Sequence, residues 1–335
     1  RKHRKISDYR SEDPGGCPAQ SALELGCEMG DFFSGKNKVN VSGIRQGARA
    51  YLKMPEKCHL VSYGSNVVAA VREGLQDPIR KYLDSYPASH SFETPHLYVL
   101  NEALREHGLA VCMMAEYFLP DIDRLTIPSC DCEMRILGQK DFQELYLPEW
   151  SNALCEKRKH LDVLGVGAYR DGRLVGLAGC SADCGNMWQI GVDVLPDFRR
   201  QGIAKALTAR LTAEILERGK IPFYCAAWCN LPSVRNAVSC GYYPAWVEIS
   251  AAGQEQIASW NRSRPQGTEV PGKKALSLSD LRDTSGKQPP VCMSRHFIGR
   301  IAPKREAIRS GWLLFLAVLS GNEVPDEEGV LYIEK

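Results

Sequence analysis

Apolar positions recur along this chain at two periods, and the switches between them outline its elements. In "AQSALELGCEMGDFF", Ala22, Leu23, Leu25 and Met29 fall at helical spacing. "CHLVSYGSNVVAAV" (58–71) is apolar and β-branched, which predicts a buried strand entering a turn at Gly64. A helix is expected over Asp77–Ser85, and a better-marked one from Thr94, with Pro95 in its first turn and Gly108 as its stop. "LAVCMMAEYFLPD" reads as a further strand, ended by Pro120. Together these make an α/β unit over residues 16–125. A second series begins with the alternating strand 132–138 and a helix over Lys140–Leu147. Two strands follow, joined by Arg170-Asp171-Gly172, where Asp-Gly suits a tight turn. "NMWQIGVDVLP" adds a third antiparallel strand. The helix 202–218 then carries Ile203, Leu207, Leu211 and Ile215 on one face. A strand "IPFYCAAWCN", a short helix "LPSVRNAVSCG" and a strand "YYPAWVEIS" complete the series. The order β-α-β-β-β-α-β-α-β predicts an α/β fold of the α+β kind, a mixed sheet covered by helices over residues 130–250. The periodicity fades at both ends. Residues 1–15 are expected as a disordered tail, and 251–335 as a low-order linker and extension rich in Gly, Pro, Ser, Lys and Gln.

Composition narrows the picture in three places. The chain has 335 residues, 44% hydrophobic and 24% charged, ample for a sizeable core. A net charge of +2 gives no reason to expect nucleic acid or a membrane surface as a partner, and the basic start "RKHRKISDYR" reads as a solvated tail. The 13 cysteines are odd in number and scattered, which points to free thiols in a reducing cytoplasm. The close pairs Cys130/Cys132, Cys180/Cys184 and Cys225/Cys229 do not form a four-ligand zinc pattern, so no metal is expected. The longest apolar run, 311–321, is too short to span a membrane.

The chemistry concentrates in "VLPDFRRQGIAKAL" (194–207), where a strand gives way to a helix. A helix start offers unpaired N–H groups and the positive end of its dipole. Gly202 lets a ligand approach the backbone, and Arg199 and Arg200 add positive charge, so a diphosphate is a natural occupant. The alternative is a plain strand-to-helix turn with solvated arginines. "GVGAYR" (165–170) is no competing cradle, because it runs into a hairpin without a third glycine or a helix.

Arg199-Arg200-Gln201-Gly202-Ile203-Ala204 resembles the Arg/Gln-x-x-Gly-x-Gly/Ala loop of the GNAT superfamily of acyl-CoA N-acyltransferases. Val194-Leu195-Pro196 matches the strand end before that loop, and Asn230 lies eleven positions before Gly241-Tyr242, a spacing the family also has. The resemblance covers about residues 130–250. Residues 16–125 look like the N-terminal extension of a group of bacterial members. The resemblance implies acetyl-CoA as co-substrate. Arg199, Arg200 and the amides of Gln201, Gly202, Ile203 and Ala204 would hold its pyrophosphate. Val192 and Val194 would pair with the pantetheine arm, and Asn230 and Ser233 would touch the cofactor further along.

Acetyl transfer to an amine needs a neutral nucleophile, donors for an oxyanion and a proton for the departing thiolate. A lysine-like amine, with pKa about 10.4, costs roughly 4–5 kcal/mol to deprotonate at pH 7. Here the chain departs from the family. Gln189 stands where a base glutamate often lies, and Ala237 where an acid tyrosine often lies. Asp193 is the nearest carboxylate, alternatively a cap of the loop; Glu116 and Tyr117 could serve only if the N-terminal unit packs over the cleft. For the acceptor, Trp150, Asn152 and Glu156 fall where the family builds a wall, with Trp228 opposite. An aromatic beside an acid suits a cationic amine, while packing and a solvated face are the alternative. The expected partner is a small-molecule or peptide amine, and the oligomeric state stays open, with a homodimer among the options. A CoA-binding sensor module without catalysis is the rival reading, favoured by Gln189 and Ala237.

Overall fold

Residues 16–263 are described by the computed structural model, and all belong to one compact unit. The terminal stretches 1–15 and 264–335, with the tail and most of the extension expected from sequence, lie outside the described residues. The chain begins with α1 (Gly16–Leu25), β1 (Lys38–Val41), β2 (Cys58–Ser62), β3 (Val67–Val71), α2 (Gln76–Asp84), α3 (Thr94–Arg105) and β4 (Leu109–Pro120). The run 58–71 is therefore a hairpin of two buried strands rather than one, turned at Gly64, whose φ of 100° places it in the left-handed region. Next come β5 (Glu133–Gly138), β6 (Asp162–Arg170), β7 (Arg173–Ser181), β8 (Met187–Val194), α4 (Ile203–Glu217), β9 (Ile221–Ala227), α5 (Leu231–Ser239), β10 (Tyr242–Gly253) and α6 (Gln254–Ser263).

The helix expected over Lys140–Leu147 is absent. Only a 3-10 turn forms at Gln139–Phe142, with Asp141 Oδ2 accepting the Gly138 N–H at 2.8 Å, and a second at Pro148–Trp150. Phe142 is drawn into the core there, its ring 3.1 Å from where a Cβ on Gly165 would stand. In the other direction, β10 runs on to Gly253 and α6 follows it, inside the stretch expected to be low in order. Gln254 ties this end down, its N–H going to Gly108 O at 3.0 Å and its side chain to Leu109 O at 3.3 Å.

The ten strands among the described residues form one sheet in the order β1-β3-β2-β10-β4-β9-β8-β7-β6-β5. The last described strand in sequence, β10, lies between β2 and β4, antiparallel to both, so the early and late parts of the described chain share a continuous ladder. β8 and β9 run parallel, but only Met187–Ile190 pairs with Ile221–Tyr224. Beyond that point the two strands part. One face of the central strands is covered by α4 and α5 over a core of Ile203, Leu207, Leu211, Ile215, Tyr224 and Ala237. On the other face Tyr117, Phe223 and Trp246 stack, with Tyr117 and Trp246 centroids 4.8 Å apart.

That second core encloses a network of buried charges. Arg49 pairs with Glu24 at 2.6 Å and with Glu248 at 2.7 Å, and Glu248 also meets His59 at 3.2 Å and the Trp246 indole at 2.7 Å. Burial disfavours a charged His59, yet Glu56 and Glu248 raise its pKa to about 10. Burial likewise opposes the Glu248 carboxylate, but Arg49 and His59 hold its pKa well below the usual range. No helix among the described residues is long and apolar enough to cross a membrane.

Candidate functional site

The loop after β8 is bent by its own residues. Leu195 donates to Val175 O on β7, Pro196–Phe198 makes a 3-10 turn, and Arg199 N–H closes it on Pro196 O at 3.2 Å. Arg200 then takes φ 65° and Gly202 φ 80°, two left-handed residues within three. A non-glycine residue at such a φ is uncommon and needs local support. Gly202 is the N-cap of α4 and offers no side chain to cap the first turn, so the amides of residues 203–205 lack an internal partner. A Cβ built on Gly202 would meet nothing within 4 Å, which places the loop's backbone against open space. The result is a backbone cradle at the positive end of a fifteen-residue helix.

The open space is a groove of about 750 Å³ between the start of α4, α5 and the parting strands β8 and β9. Arg199, Arg200, Gly202, Ile203 and Ala204 line it, as do Val192, Val194, Asn230 and Ser233. Gln201 does not line it. Its side chain is turned to the β6–β7 hairpin, accepting from Arg170 Nη1 at 2.9 Å. Arg199 donates from Nε to Val194 O at 3.0 Å, so one carbonyl of the β8 edge is already in use. Because Leu195 N–H points to β7, alternation turns the N–H and C=O of Val192 and Val194 toward the groove, past the last β8–β9 pair. Asn230 caps α5 through Ser233 N–H at 3.4 Å, and Ser233 Oγ lies 2.8 Å from Tyr224 Oη.

The candidate acid–base residues have different fates. Asp193 Oδ2 accepts the N–H groups of Asn152 and Ala153 at 2.8 and 2.9 Å, and Oδ1 accepts Asn152 Nδ2 at 2.6 Å. Three donors on one carboxylate describe a clamp more than a proton acceptor. The clamped segment lies flat on the sheet: a Cβ on Gly191 would stand 1.8 Å from Asn152 O, and one on Gly179 2.1 Å from Ala153 O. Gln189 bridges to Cys225 Sγ at 3.0 Å, and burial pushes that thiol up to about 12. Glu116 sits in β4 between Val247 and Ala226 and does not line the groove. Tyr117 is buried in the second core, and burial raises its pKa.

The four candidate acceptor residues are not brought together. Trp150 is 4% exposed and packs with Phe142, Leu154 and Leu177, so it presents no aromatic face to the groove. Glu156 is an exposed carboxylate 3.6 Å from Lys159, and Trp228 is exposed without lining the groove. Asn152 alone lines it. Sequence reading passed over Tyr224, Cys225 and Arg235, all of which do. Strand alternation in "IPFYCAA" already separates Tyr224 from Phe223 and Cys225, but it does not reveal that β9 leaves β8 at that residue. Among the described residues, no group of three His, Cys, Asp or Glu side chains could hold a metal ion.

The GNAT acetyltransferase family matches residues 133–245 of this chain. No curated protein matches it. Similar solved structures include a GNAT-family putative acetyltransferase from Novosphingobium aromaticivorans, 21% identical, the match covering 43% of this chain and 66% of that one at a TM-score of 0.35. A GCN5-related N-acetyltransferase-like protein from Streptococcus suis is 22% identical over 48% and 69% of the two chains, TM-score 0.35. A GCN5-related N-acetyltransferase from Kribbella flavida is 18% identical over 56% and 81%, TM-score 0.40. The chain therefore carries a GNAT acetyltransferase domain over residues 133–245.

Proposed function

We propose that this protein transfers an acetyl group from acetyl-CoA to a primary amine by direct attack on the thioester. The observation that carries this reading is the cradle at residues 199–204, where Arg200 and Gly202 turn the chain through the left-handed region at an uncapped helix start that opens on the groove. The pyrophosphate fits there because amide donors and a helix dipole favour an anion, with Arg199, Arg200, Lys205 and Arg235 around the groove. The arm of the co-substrate would run along the Val194 and Val192 edge, and the Val192 N–H is suited to meet the developing oxyanion.

In this reading Asp193 positions the acceptor wall by holding Asn152 and Ala153, and Gln189 is an amide that takes no proton. The amine then enters as its free base, and turnover rises with pH along the acceptor's own titration. The chemistry supports a small-molecule or peptide amine as acceptor. The 12 described cysteines are all free, which supports a reducing, cytoplasmic setting. The test is release of free CoA thiol from acetyl-CoA in the presence of a panel of amines. Amine-dependent release is expected. Binding of acetyl-CoA with no release for any amine would favour a sensor module instead.

A further inference from the structure

We propose that Tyr224 is the catalytic proton donor to the departing thiolate of the acyl-CoA, a role that rests on the transferase reading above. The cradle fixes one end of the groove. From it the exposed edge of β8 runs back through Val194 and Val192 to Ile190, where β8 and β9 last pair, and Ile190's partner in that pair is Tyr224. A thioester at the end of an arm laid along this edge comes to the fork of the two strands, against Tyr224. Side-chain direction agrees. Phe223 lies in the core behind the sheet and Cys225 packs against that core, whereas Tyr224 packs on the α4–α5 side; of the three, Tyr224 and Cys225 line the groove. Its hydroxyl is held in place by Ser233 Oγ at 2.8 Å, and Ser233 is fixed by the Asn230 cap. Ala237, one turn further along α5, is fully buried and has no proton to give, so the hydroxyl is supplied from the strand rather than the helix.

The surroundings keep that proton on the oxygen at neutral pH. Burial raises the Tyr224 pKa above its ordinary value, Cys225 and Cys240 add to the rise, and Ser233 and Asn236 oppose it. Tyr242, with its ring centroid 6.2 Å away, spends its own hydroxyl on Thr212 at 2.6 Å. The step balances. The amine nitrogen bonds to the carbonyl carbon, the C–S bond breaks with its electron pair going to sulfur, and the Tyr224 proton passes to sulfur. The phenolate recovers a proton from the nitrogen, which becomes a neutral amide.

The test compares acetyl-CoA with its selenoester analogue in wild type, Tyr224→Phe and Ser233→Ala, with one amine. A selenolate is a far weaker base than a thiolate and leaves without needing a proton. Tyr224→Phe should bind acetyl-CoA within threefold of wild type yet lose about 10²-fold in kcat with the thioester, and most of that loss should vanish with the selenoester. Ser233→Ala should show a smaller loss with the same recovery, and it carries the comparison if Tyr224→Phe does not fold. Equal losses with both donors, or a thioester kcat within threefold of wild type, would overturn the assignment. Wild type that turns over neither donor would instead overturn the transferase reading and this role with it.

Discussion

Asp193 on β8 accepts the backbone N–H groups of Asn152 and Ala153 and the Asn152 side-chain amide. By position it is the nearest carboxylate to the reaction; by contact it is the knot between β8 and the segment that bears Asn152. Asparagine in its place keeps one oxygen and loses a charge-assisted bond, about 1.5 kcal/mol or roughly tenfold. We expect Asp193→Asn to raise the KM for the amine about tenfold while acetyl-CoA affinity and the shape of the pH–rate profile stay as in wild type. Steady-state kinetics across pH would check this. A lost acid limb with unchanged KM would make Asp193 the base. Gly191 belongs to the same arrangement, since any side chain there would collide with the Asn152 carbonyl.

At the scale of elements, the residues that specify local backbone geometry were legible and those that depend on distant partners were not. Arg170-Asp171-Gly172 announces its hairpin, and Asp171 and Gly172 do take positive φ. Gly202 at the mouth of α4 was likewise readable, because such turns are written in adjacent residues. The segment 140–161 was not. Its apolar residues Phe142, Trp150 and Leu154 are spaced well enough for a helix, but they are buried by docking on β7, which the local pattern cannot express. The strand-to-helix turn at "RRQGIA" could be located from the sequence. The fork that sets Tyr224 beside it could not, because it arises from where β8 and β9 cease to pair.

At the scale of the whole molecule, the buried network of Arg49, Glu24, Glu248 and His59 ties the N-terminal segments to β10. None of these residues stands out in sequence, since buried charges are recognised only by their partners. His59 is charged in the fold with its pKa raised to about 10, against about 6.5 when unfolded. Its contribution is therefore complete below about pH 6.5 and is lost as pH rises through about 10. The depressed pKa of Glu248 acts oppositely, with a contribution present above the ordinary carboxylate range and lost on acidification. Between pH 7 and 7.5, well below the ordinary thiol pKa of about 8.5, we expect denaturant-measured stability to fall by up to about 1.4 kcal/mol per pH unit. His59→Gln should flatten that slope. An identical slope in the variant would mean that His59 is not charged in the fold.

In the proposed function, the uncapped start of α4 holds the diphosphate of a CoA ester. Calorimetric titration of acetyl-CoA into wild type and Gly202→Asp tests it most directly, because the variant puts a negative charge and a strained residue at φ 80° into the cradle. Saturable one-site binding to wild type is expected, with at least about a tenfold loss, roughly 1.4 kcal/mol, in the variant. Equal affinity in the two proteins would contradict it.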